Sequence, residues 1–375
     1  MTTSLLRQPS RQGTFALAAA ALFIASDGLE SRYDVGRAVR VEAETRIALE
    51  TTAFDMERDG EPVESPFDPI GQRMVDERTI VVVDRVLEAA EGAPTRLRRS
   101  FESVTASNLV PAPDGERTIE RECPLDGVTV ELALEDGDVR ASVVEGDEPD
   151  DATLLEGHHL TLALDALLPS TGVEVGASWE LDADAIRIAL GFDLEEKLFP
   201  RPQRPDRPEG GGEGGGRRGG PRGGAQGGLS GVLRDADWKG TATLKALDHQ
   251  EEGVEGACAL IELELSCDGD LPEPQFGGGR GGRERSAAPP SAPGAVAGTF
   301  EVELKGHLAY SKGLGLPVAL ELEGRIETEQ TMERSRGESS MRMHTEQSGD
   351  IRHVVRVTLE SASDESAAEK NTGDE

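Results

Sequence analysis

The chain has 375 residues, 36% of them hydrophobic and only 3% aromatic, with a formal net charge of −33. Such a charge repels nucleic acid and anionic lipid headgroups, and so few aromatic rings leave little for base or sugar stacking. That apolar content suits sheets with one wet face, where only alternate positions need burial.

Arg7 and Arg11 precede an apolar run at residues 15–26 that is too short to span a bilayer. The pattern predicts an export signal over residues 1–26 and a periplasmic or cell-envelope location. No cysteine follows the run to carry a lipid, and no later segment is apolar enough to cross a membrane. Three cysteines, Cys123, Cys258 and Cys267, leave at least one unpaired within the chain. Cys258 and Cys267 lie in one strand pattern, about 30 Å apart when extended, and cannot bond each other. Either Cys123 bonds one of them or all three are buried thiols.

Residues 39–51 alternate, with Val39, Val41, Ala43, Ile47 and Leu49 on one face and charged residues on the other. That is a half-buried strand, longer than usual, and such lengths predict a curved sheet. Strand patterns follow at 79–87, 95–105 and 128–134. Asp136–Gly137 then signals a tight hairpin into 139–143. Asp150 or Asp151 is placed to cap a helix over 151–168, with Leu155, His158 or His159, Leu162 and Ala166 on one face.

Residues 165–190 join the two strand-rich halves. They combine a helix stop at Pro169, a strand over 173–181 with Trp179 as its buried anchor, and a helix over 184–198 capped by Asp182 or Asp184. Residues 200–231 are rich in Gly, Pro and Arg, and residues 276–298 are similar; both predict disordered inserts. Strands resume at 257–265, 300–310, 318–326, from Met341, and at 351–359, before a polar acidic tail over 360–375. The organisation is thus a β-rich N-terminal part (33–199) and a β-rich C-terminal part (232–275 and 299–359). One internal echo stands out: VRVEAETRI at 39–47 matches VALELEGRI at 318–326 at five positions, and Met-Glu-Arg follows each, at Met56 and Met332.

No catalytic, cofactor-binding or metal-ligating set emerges. Adjacent His158 and His159 would point apart on a helix. His249, His307, His344 and His353 are scattered. Asp182, Asp184 and Asp193 fail the calcium-loop pattern, because Ile186 and Arg187 occupy the positions that need oxygen and glycine. G-x-S-x-G and the nucleotide-binding glycine motifs are absent.

The segment LLPSTGVEVGASWEL at 167–181 resembles one found in uncharacterised exported bacterial β-rich proteins, where Leu-Pro precedes V-x-V-G-x-S-W. The order of elements is distantly similar to that of lipoprotein-carrier half-barrels. The resemblance implies an open curved sheet with helices in its hollow, and it carries over no functional residue. The expected fold is mainly β, a long antiparallel curved sheet or half-barrel with two or three helices packed on one face. The expected role is non-enzymatic: holding a lipid-like or other apolar small molecule in the hollow. The alternatives are an envelope module that contacts protein or anionic polymer through Arg/Gly loops, and a hydrolase with an unrecognised site. No cofactor, metal or nucleic-acid partner is expected.

Overall fold

The computed structural model describes residues 28–66, 68–112, 115–192, 198–199, 229–271, 296–336 and 339–360. The expected export signal, most of both inserts and the tail beyond residue 360 lie outside the described residues. Among those described, thirteen strands form one open antiparallel sheet. They are β1 (Ala38–Arg58), β2 (Glu61–Pro62), β3 (Arg73–Ala90), β4 (Ala93–Ala112), β5 (Gly115–Glu122), β6 (Thr129–Glu135), β7 (Asp138–Glu145), β8 (Ser178–Leu181), β9 (Lys239–His249), β10 (Cys258–Asp270), β11 (Val296–Ser311), β12 (Leu316–Arg336) and β13 (Ser339–Leu359). Their spatial order is β7-β6-β4-β3-β1-β13-β12-β11-β10-β9-β8, with β2 beside β1 and β5 beside β4. The mainly-β antiparallel fold follows the alternation in the sequence.

The two β-rich parts are halves of one sheet, because β1 pairs along its length with β13, from Val39 opposite Leu359 to Arg58 opposite Met341. The internal echo sits on either side of that strand. Met56 and Met332 both lie opposite Met343, and Glu57 and Glu333 both lie opposite Arg342. The repeated triplet thus makes a charge-alternating row, Glu-Arg-Glu, across three strands, an arrangement that stabilises cross-strand neighbours.

One face of the sheet is apolar, and the chain fills it. Ala259, Ile261, Leu263 and Leu265 of β10 and Val302, Leu304 and Leu308 of β11 are buried, while Glu262 and Glu264 between them are exposed. The large cluster on this face joins Leu162, Leu164 and Leu167 with α1 (Ala183–Ala189) and α2 (Leu229–Asp235). Trp238 is fully buried there, stacked on Phe192 at 6.1 Å, and its indole N–H donates to the Leu233 carbonyl (2.7 Å). A second cluster lies under β3, β4 and β6 and includes Phe101, Leu125, Leu132, Leu154, Leu198 and Phe199.

Several expected elements are corrected. The helix over 151–168 is replaced by two short 3-10 turns, Ala152–Leu155 and Ala163–Leu167. Gly157, at φ 75°, breaks the run. Leu154, Leu160, Leu162, Leu164 and Leu167 are all buried, a pattern too broad for one helix face. Asp151 does cap, accepting from the Thr153 amide (3.0 Å). The helix over 184–198 is interrupted: α1 ends at Ala189, Gly191 turns left-handed at φ 72°, and Phe192 and Leu198 are again helical. Ile186 and Leu198 join different clusters. Asp182 is its cap, accepting from the Ala185 amide (2.7 Å). The strand over 173–181 is confined to β8, and Trp179 on it is only half-buried, so the buried anchor is Trp238 instead. Residues 229–231 of the first insert are helical in α2, and residues 296–298 of the second belong to β11. The hairpin at Asp136–Gly137 forms as expected, both residues having positive φ.

Three glycines let the long strands cross closely. A Cβ on Gly306, Gly324 or Gly349 would lie 1.8, 1.8 or 1.7 Å from the carbonyl oxygen of Glu321, Glu303 or Ala48 on the neighbouring strand. Only a hydrogen fits at these points, which lets the neighbouring backbones approach closely. Gly324→Ala is therefore expected to lower stability by about 3 kcal/mol or more, since backbone rather than a side chain must move. Gly253→Ala, in open space at φ 77°, should cost only about 1 kcal/mol. Urea denaturation followed by tryptophan fluorescence compares the two.

Candidate functional site

Polar chemistry is concentrated where residues 28–37 lie against one end of the filled face. Leu29 and Tyr33 of this segment are buried in the large apolar cluster. Its backbone is tied by Arg32 N to Gly315 O (2.8 Å), Tyr33 N to Gly92 O (3.2 Å) and Gly36 N to Val86 O (2.9 Å). The Tyr310 hydroxyl donates to the Glu30 carbonyl (2.5 Å). At the centre is Asp165, from the second 3-10 turn. Its carboxylate accepts from the Ser31 hydroxyl (2.5 Å) and from the Tyr33 hydroxyl, which itself accepts from the Leu162 amide (2.8 Å). Burial pushes the Asp165 carboxyl up to about 6, against the two hydroxyl donors that pull it down. Burial and then the neighbouring Asp165 charge raise the Tyr33 phenol above its ordinary value. Tyr33 is therefore a neutral donor.

Beside this group, Arg99 of β4 grips Asp84 of β3 through two parallel bonds of 2.7 Å, and it also reaches the His159 carbonyl (3.3 Å). Both side chains are buried. A fork of this kind is rigid, and its value lies in each charge cancelling the other out of water. On β13, His353 is buried, with Nδ1 on the Thr45 hydroxyl (2.9 Å). Its Nε2 lies by the Ala189 carbonyl yet makes no hydrogen bond of good geometry. Burial depresses the imidazole to about 4, and the contact with Ala189 offsets this in part.

His249 and His307, which no motif links in the sequence, meet across Glu251: their Nε2 atoms stand 3.3 and 3.7 Å from one carboxylate oxygen. The rings are 6.4 Å apart and nearly perpendicular. Among the described residues, no three histidines, cysteines or carboxylates are gathered to hold a metal ion. His158 is buried against Phe101, with Nε2 3.1 Å from the Leu154 carbonyl, and His159 is exposed. The three cysteines are buried free thiols, and burial pushes Cys123 up to about 11 and Cys267 up to about 12. These values make them poor nucleophiles.

Two open polar grooves mark the sheet. One of about 730 Å³ is lined by Arg78, Thr105, Glu120, Arg121 and Glu122 among others. The other, about 840 Å³, is lined by Asp268, Asp270, Glu301, Glu327, Glu329 and Glu346 together with Phe300 and Thr328. In the second, Asp268 faces Glu301 and Glu301 faces Glu327 directly across adjacent strands. Asp165, Ser31 and Tyr33 could not be singled out in the sequence, because Asp165 is one of 72 acidic residues and its partners lie more than a hundred positions away.

Asp84→Ala leaves the Arg99 guanidinium buried without its counter-charge and should cost about 3–5 kcal/mol, while Asp84→Leu combined with Arg99→Leu should recover much of the loss. Chemical denaturation of the variants measures both. His353 has a folded pKa below its unfolded value, so its contribution is complete above pH about 6.5 and is lost as pH falls through about 4. The stability advantage of the wild type over His353→Gln should therefore shrink by about 3 kcal/mol from neutral pH to pH about 4. Denaturation midpoints of both proteins across that range test it.

Among the described residues, no helix is long and apolar enough to cross a membrane. No family model matches the chain, and no curated protein matches it. Among solved structures, the CymD monoaromatic hydrocarbon channel aligns over 88% of this chain and 90% of its own at 8% identity. The TM-score is 0.09, and this likeness carries no argument about fold or function.

Proposed function

We propose that this protein is an exported, non-enzymatic interaction module of the cell envelope that binds a positively charged protein partner along the acidic surface of β10–β13. Export is supported by the basic and apolar N-terminal pattern. The observation that carries the reading is the row Asp268, Glu301, Glu327. Like charges directly opposite one another destabilise a sheet, and a cationic partner relieves them. The net charge of −33 extends the attraction beyond the groove. The apolar-ligand reading is weakened by the filled face, where Ile186, Leu190, Leu233 and Trp238 occupy the space a ligand would need.

Biolayer interferometry with an Arg/Lys-rich peptide tests this directly. Binding should weaken steeply with added salt, and Glu301→Gln with Glu327→Gln and Glu329→Gln should weaken it by about tenfold. Affinity unchanged in the triple variant would remove the proposed surface. A lipid retained by the purified wild type in native mass spectrometry would favour the apolar-ligand reading instead.

A further inference from the structure

We infer that residues 28–37 form a releasable strap, closed over one end of the apolar core by a single proton-sensitive latch, the Asp165 carboxyl group gripped by Ser31 and Tyr33. The strap is built unlike the rest of the fold. It belongs to no strand, and it is held by isolated backbone bonds to Gly315, Gly92 and Val86, by the Arg37 guanidinium donating to the Leu314 carbonyl (2.9 Å) and by the Tyr310 hydroxyl donating to the Glu30 carbonyl. Its side chains supply what the backbone does not: Leu29 and Tyr33 enter the large apolar cluster alongside Leu162, Leu164, Leu167, Tyr310 and Leu316. The bonds from Ser31 and Tyr33 to Asp165 span more than 130 residues of sequence and tie the strap to the segment that crosses the core. Removing the strap would strip Leu29 and Tyr33 from the cluster and uncover apolar side chains beneath a movable cover.

The latch is sensitive because its acceptor is a carboxyl group held out of water. The groups around it are few. Ser31 and Tyr33 come from the strap and Tyr310 from β11, with Glu30 and Arg32 acting on Tyr310. Asp84 of β3 and Arg99 of β4 act on Tyr33 and neutralise each other. Among the described residues, no basic side chain bonds the Asp165 carboxylate itself. In the closed state this group titrates near 6, and in water near 3.8. Closure therefore takes up a proton. It is strongest below pH about 4, weakens as pH rises, and has lost that support above pH about 6. The full span corresponds to a fall of about a hundredfold in the closure equilibrium at most. Ionised Asp165 still accepts from both hydroxyls, so the strap at neutral pH keeps these bonds and loses only the support of the proton.

Hydrogen exchange by mass spectrometry on the full chain, corrected for intrinsic rates, reads strap and core separately. Peptides covering 28–37 should lose about tenfold or more of their protection between pH about 4 and pH about 7, while β10 peptides hold theirs. Asp165→Asn, which cannot ionise, should flatten that loss. Ser31→Ala, which removes a donor to the ionised carboxylate, should steepen it, and this variant serves if Asp165→Asn does not fold. Equal strap protection at both pH values overturns the inference. So does a loss shared by β10, or a slope that survives in Asp165→Asn or is unchanged in Ser31→Ala.

Discussion

The pairing of β1 with β13 is the constraint on which the rest of the sheet depends. β1 carries β3, β4, β6 and β7 on one side, and β13 carries β12 to β8 on the other. Without that ladder the chain is two separate sheets, each with a long unpaired edge. Its register is set by alternation: Ile47 opposite Ile351 and Val41 opposite Val357 face the core, and a slip of one residue would turn them to water. The two strands lie about 300 residues apart, and the length-dependent part of closing such a loop is about 5 kcal/mol. A ladder this long offsets that cost, but non-local pairing of this kind makes folding slow.

Much of the architecture was legible because a half-wet strand writes its burial into every second residue. Ala259, Ile261, Leu263 and Leu265 of β10 and Phe300, Val302, Leu304, Leu308 and Tyr310 of β11 alternate and are buried, although neighbouring Cys258 and Ala309 are buried too, in a separate cluster. The reading failed where that code does not apply. Between residues 151 and 168 leucines occur at spacings that suit a helix, yet they are buried on several sides because the segment runs between two clusters. Trp179 drew notice through its neighbours, whereas Trp238, at the edge of an insert, is the ring that the core encloses. The strap was invisible for a different reason. Ser31 and Tyr33 acquire meaning only through Asp165, and no local pattern joins residues so far apart. The same holds for His249 and His307, which lie on β9 and β11 either side of β10 and meet at Glu251 in the loop after β9.

Among the described residues, three buried or half-buried polar groups sit where separate parts of the chain are fastened together. The Arg99–Asp84 fork joins β3 to β4 and, through the His159 carbonyl, to the crossing segment. Asp165 joins that segment to residues 28–37. His353 sits where β13 meets β1 beneath the end of α1. Apolar contacts alone would permit sliding at these joints, whereas hydrogen-bonded polar groups accept one arrangement only. On the outer surface Arg352 and Lys305 pair with Glu321 and Glu264 across strands, whereas Asp268, Glu301 and Glu327 lie side by side and face water.

The strand order has a consequence for how the fold could be encoded. Val39 and Leu359 are direct neighbours at the middle of the sheet, while β7 and β8, consecutive in the chain, occupy its two opposite edges. A gene rearranged to join residue 360 to residue 37 by a short link, and opened in the exposed turn near residue 147, would specify the same ladders. Its strands would then run in simple succession from one edge to the other, apart from the small flaps β2 and β5. The present chain is thus a circular permutant of a plain up-and-down meander.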